Sequence, residues 1–167
     1  MSVSGLLTDG FGRIREVVHE VLEGLTDEEL RYRADAQANS ICWLIWHLTR
    51  VQDDHVAGAA GLEQVWMTGW YERSGLPFAP AAHGYGQSSS EVAQVQLSAE
   101  FLAGYHDATY EQTIAFVSGL KDEDMDRVVD QRWDPPVTLG VRLVSVLSDD
   151  LQHAGQAAFI RGLVERR

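Results

Sequence analysis

The sequence predicts an all-α protein, a four-helix bundle with a long crossover between the second and third of its long helices. Three observations carry that expectation. Apolar residues recur at helical spacing through four long stretches. Capping signals stand ahead of helical starts, with Thr26 three residues before Glu29, Ser40 before an apolar run, and Thr138 before another. No strand–turn–strand pattern and no internal repeat is visible. A chain of 167 residues is long enough to bury a sizeable core and fits one domain spanning 1–167.

The first helix is expected over Leu7–Leu25, where Phe11, Ile14, Val18, Val21, Leu22 and Leu25 share one face. Thr26 and Glu29 form a capping box that opens a short helix, Asp27–Arg33. The second long helix is Ile41–Gly58, the most apolar of the four. Residues 58–90 form the crossover. A turn or two of helix is expected around Val65, Trp66 and Trp70, and then Gly75, Pro77, Pro80, Gly84 and Gly86 exclude regular structure. Its five aromatics predict a packed segment that walls a pocket. The third long helix is expected from Ser98 to Leu120. A polar excursion follows, extended near Arg127–Asp130, before the fourth helix at Leu139–Arg166.

The net charge of −12 excludes nucleic acid and anionic membrane as partners, since both need clustered Lys and Arg. No apolar run approaches the ~20 residues of a membrane span. The N-terminus shows neither the basic nor the apolar region of a signal peptide. Cys42, the only cysteine, permits no intrachain disulfide. Together these predict a cytoplasmic protein. A single lysine, Lys121, against twelve arginines has the look of a GC-rich genome.

The chemistry is expected where polar groups interrupt apolar faces. His47 lies among Trp43, Leu44, Trp46, Leu48 and Val51, which predicts burial. Asp149 and His153 are four apart on the fourth helix, so both side chains reach one point on one face. Two imidazoles and a carboxylate are competent ligands for a divalent transition metal, and three protein ligands leave positions open. A buried carboxylate between apolar turns also needs a partner, which a dication supplies. The remaining polar groups are read more plainly. Gln52 and Asp53 are expected on a solvated face, His106 at the surface, and Cys42 inert in its apolar run.

The segment WLIWHLTRVQDDHV, followed about a hundred residues later by DDLQHAGQAAFIRG, resembles the DinB-like superfamily. The likeness is nearest to its actinobacterial mycothiol-dependent S-transferases, and the H-x-G-Q step at His153–Gln156 is similar to the superfamily's HRGQ-like signature. The resemblance implies a four-helix bundle with the long crossover described above. It also implies a metal site of His47, Asp149 and His153, with aspartate where relatives more often carry histidine or glutamate. Candidates for contact with the thiol cofactor are Trp43, Arg50, Arg142 and Gln156. Asp54 and His55 are candidates for the shell behind the ligands. The implied activity is conjugation of mycothiol, or a similar small thiol, to an electrophile at a divalent metal such as Zn²⁺, Ni²⁺ or Fe²⁺, with the aromatic crossover shaping the electrophile pocket. The partners are then a small-molecule thiol and an electrophile, with a second copy of the chain in a homodimer as a further candidate. A mycothiol-dependent isomerase of the maleylpyruvate type ranks second, because such isomerases tend to carry an extra C-terminal region and this sequence ends just after the fourth helix. A non-catalytic metal-binding or stress-associated bundle is the remaining alternative.

Overall fold

The computed structural model describes residues 1–167. Four long helices form the bundle: α1 (Val3–Leu22), α3 (Ile41–Ala60), α6 (Ala99–Val117) and α7 (Leu139–Val164). Short helices α2 (Asp27–Leu30), α4 (Trp70–Ser74) and α5 (Ser89–Val92) sit in the connections, with 3₁₀ turns at Val65–Met67 and Asp122–Asp126. Helix α3 packs against α6 and α7, and α1 packs against the same two from the other side. A core of 32 buried residues fills the space between them.

Local chemistry sets the ends of these helices. Ser40, Ser98 and Thr138 each accept a backbone N–H of the first turn, satisfying a donor that has no partner inside the helix. Thr26 and Glu29 close the expected capping box. Helix α3 ends at Gly61, which takes the left-handed conformation that lets the chain turn away. Helix α1 begins four residues earlier than its apolar stripe implies, capped by Ser2. It ends at Leu22 rather than Leu25, because Gly24 adopts φ +72°.

Two features depart from the sequence expectation. Val128–Asp130 (β1) and Val137–Thr138 (β2) pair as a small antiparallel ribbon. Each strand is too short to show alternation, so only the extended character of the first is readable. Helix α3 is also buried on nearly every side, Gln52 and Asp53 included, rather than presenting a solvated face there. The crossover covers it. Trp66 and Val65 pack into the core, and Asp53 accepts the backbone N–H groups of Val65 (2.8 Å) and Trp66 (2.7 Å). No helix is long and apolar enough to cross a membrane.

Candidate metal centre

Helices α3 and α7 run antiparallel, so His47 on one meets Asp149 and His153 on the other. One ligating atom from each of the three lies within 4.8 Å of the others. His47 Nε2 is 3.9 Å from Asp149 Oδ2, and His153 Nε2 is 3.6 Å from Asp149 Oδ1. These separations are too long for hydrogen bonds. They are close to the ~3.3 Å edge that two ligands share when each stands ~2.0–2.1 Å from a tetrahedral ion.

The outer nitrogen of each imidazole is tied down. His47 Nδ1 donates to the backbone carbonyl of His83, and His153 Nδ1 donates to Gln156 Oε1 at 3.0 Å. Holding the proton on Nδ1 leaves a bare lone pair on Nε2, the atom turned toward Asp149. Burial pushes the His47 pKa down, which also favours the neutral, ligating form. Asp149 Oδ2 is buried without any hydrogen-bond partner. A carboxylate with one orphaned oxygen, its two oxygens facing the Nε2 lone pairs of two imidazoles, is costly in a protein interior unless a cation joins them. The donor set therefore fits a divalent metal. The His47 side chain is 7% exposed, His153 18% and Asp149 35%, so the cluster is reached from solvent on the Asp149 side.

The crossover supplies the hold on His47, and one glycine makes that possible. Gly84 has φ +100°, and a Cβ there would lie 2.8 Å from His47 Nδ1 and 3.0 Å from the Trp43 ring. Only a residue without a side chain lets the loop bring the His83 carbonyl onto the imidazole. Trp43 stacks on the His47 ring, with centroids 4.5 Å apart and planes 13° from parallel, and its indole N–H donates to Gln87 at 2.7 Å.

Several expected roles fall elsewhere. Arg50 is wholly buried and turned to the protein: it donates to Ala82 O (3.1 Å), Gln64 Oε1 (3.0 Å) and Tyr105 Oη (3.3 Å) and pairs with Asp53 at 3.6 Å. It clamps the crossover and, being wholly buried, is out of reach of a cofactor in solution. Arg142 pairs with Asp130 at 3.1 Å beside His55, one face of a polar recess that also holds Asp54 and Arg132. Asp54 accepts from Gln64 at 2.7 Å and touches His55, so it braces neither ligating ring. His55 lies outside the ligand group. The aromatics of the crossover divide: Trp66 is buried against Trp46, Tyr71 and Tyr105, whereas Phe78 and Tyr85 line a recess of about 420 Å³ on the crossover itself. His106, expected at the surface, is completely buried and meets Thr49 Oγ1 at 3.1 Å. Cys42 is buried beside Leu97, and loss of solvation pushes its thiol pKa up to about 11.

The residues that the sequence reading missed are His83 and Gly84. His83 acts through its backbone, which leaves no mark in sequence. Gly84 was visible only as one of several loop glycines.

Comparison with known proteins bears on this geometry. No curated protein matches the chain. Among solved structures, a conserved protein from Enterococcus faecalis superposes with a TM-score of 0.91 at 29% identity, over 100% of this chain and 99% of that one. The family model described as mycothiol S-transferase matches residues 6–166. With nearly its whole length matched, the chain belongs to the mycothiol S-transferase family, within the DinB-like superfamily.

Proposed function

We propose that the protein is a metal-dependent S-transferase that joins mycothiol, or a closely similar small thiol, to an electrophilic carbon. One observation supports this above the rest: two imidazoles, each with its proton held on the far nitrogen, face the two oxygens of one carboxylate, and the oxygen nearer His47 is buried with no hydrogen-bond partner. His47, Asp149 and His153 would hold the ion. A divalent cation there lowers the pKa of a thiol enough to keep it as thiolate near neutral pH.

The residues of the chain do the rest. His83 and Gln156 hold the two imidazoles in the tautomer that exposes Nε2. The Trp43 ring shields His47 on one side, so approach is from the exposed flank of Asp149. The thiol proton leaves to solvent on that flank. The sulfur's electron pair then forms the S–C bond as the leaving group departs with the pair of the bond it breaks. Cys42 takes no part, being buried and protonated.

The test is conjugation of mycothiol to 1-chloro-2,4-dinitrobenzene, followed by absorbance, with metal content measured on the same samples. The wild-type protein loaded with Zn²⁺ is expected to accelerate conjugation, and His153→Ala to lose both metal and acceleration. Equal rates with and without the wild-type protein would overturn the proposal.

A further inference from the structure

Beside the donor cluster runs a groove of about 520 Å³. Leu44 and Ile160 form its buried floor, and Ala34, Ala38, Gly155 and Phe159 its sides. Gln152 and Gln156 stand at the edge toward the metal ligands, and Gln156 is the residue that holds His153 Nδ1. The groove therefore adjoins the centre, with the Gln156 side chain between them. Its volume lies within the range of small-molecule sites, about 300–1,000 Å³.

The lining carries no charged residue, in a chain of net charge −12. The recesses on the crossover and beside Arg142 differ in this respect. The first, of about 420 Å³, includes Glu91; the second, of about 330 Å³, is lined by Asp54, Asp130, Arg132 and Arg142. An anionic substrate such as a dicarboxylic acid finds no cation in the groove and meets the repulsion of an acidic protein. A neutral apolar group leaves water at no such cost. Phe159, 65% exposed, offers a ring on which a flat group can rest.

We propose that this groove, between residues 34–44 and the last turns of α7, seats the neutral alkyl or aryl part of the electrophile, and that Gly155 and Phe159 set the size it accepts. This rests on the S-transferase reading for the identity of the occupant as a substrate. The binding site itself does not depend on it. Gly155 supplies a clean test, because a Cβ added there meets nothing within 4 Å, so a larger side chain projects into the groove and not into the core.

The probe is N-phenyl-1-naphthylamine, a neutral, unreactive fluorophore, titrated into metal-free protein. The wild type is expected to bind it with enhanced fluorescence, and 1-chloro-2,4-dinitrobenzene to displace it. Gly155→Phe should weaken binding by roughly tenfold or more through the apolar area it denies the probe. Circular dichroism, and zinc uptake on loading a parallel sample, serve as controls for folding. Gln152→Arg, a change at an exposed position, should shift preference from this probe toward the anionic anilinonaphthalene sulfonate. Equal probe affinity in wild type and Gly155→Phe would overturn the proposal, as would no binding to the wild type. It would also fall if sedimentation showed a wild-type dimer that Gly155→Phe converts to monomer, since a second copy would then occupy the groove. If probe binding behaves as expected but no mycothiol transfer is detected, the groove stands and the S-transferase reading fails.

Discussion

Helix α3 carries two polar clusters within two turns of each other, and they are built on opposite plans. Around Arg50 and Asp53 the accounting closes. Asp53 accepts from two backbone N–H groups and from the Tyr105 hydroxyl (2.8 Å), and the Arg50 guanidinium spends its donors on the crossover and Tyr105. Around His47 the accounting stays open: Asp149 Oδ2 has no partner, and the two Nε2 atoms face the carboxylate, one at each oxygen, beyond hydrogen-bonding distance. Both clusters are polar groups in an apolar helix, and composition alone does not separate them. The difference lies in who satisfies them. The closed cluster is satisfied by the chain and holds the fold together. The open one is completed only by something the chain does not supply.

This contrast can be broken by experiment, beginning with the closed side. Arg50→Ala leaves the Asp53 carboxylate buried without its cation. It should destabilise the protein by about 3–5 kcal/mol in chemical denaturation. His47→Ala, on the open side, should leave metal-free stability much less changed. A comparable loss from His47→Ala would erase the distinction.

Acid should strike the closed interior next. Thr49 gives its hydroxyl proton to Ile45 O at 2.7 Å, so His106 Nδ1 is the donor in their contact. Burial lowers the His106 pKa from 6.5 to about 4. The unfolded chain therefore binds more protons between those values, and stability rises with pH across that window. About 3 kcal/mol of stability should be lost on going from pH 7 to pH 4, at ~1.4 kcal/mol per pKa unit. His106→Gln should remove that part of the pH dependence, read as the difference between the two denaturation series. Parallel series would show that His106 does not titrate with unfolding.

The smallest effect sharpens the open side. Gly84→Ala pushes the loop off His47 and loosens the His83 carbonyl from Nδ1. Zinc affinity, measured by competition with a chelating dye, should fall by about 10–100-fold. Helical content should stay as it was. Unchanged affinity would mean that the His83 contact does not orient the ligand.

What sequence makes legible follows from the same contrast. The i, i+4 spacing of Asp149 and His153, the apolar surroundings of His47 and the helix caps are local patterns, and the structure brings those three residues together. Arg50 and Asp53 are misread as solvent-facing or ligand-binding because their burial depends on where residues 62–85 dock, and that segment has no periodicity. His106 is misjudged for a related reason: its neighbours Tyr105 and Asp107 look amphipathic, yet α1 and α3 cover it from both sides. The hold on His47 is invisible for a different reason, since a carbonyl oxygen is common to every residue.

The clamp made by Arg50 and Gly84 has one more consequence. The stretch that aims His47 is residues 80–84, whereas the groove is framed by residues 34–44 and 152–160. The aim of His47 and the shape of the groove are thus written in different parts of the polypeptide, which meet at Gln156. Substitutions at Ala34, Ala38 or Phe159 would reshape the groove while the hold on His47 stays as it is, whereas a change at Gln156 would disturb both at once.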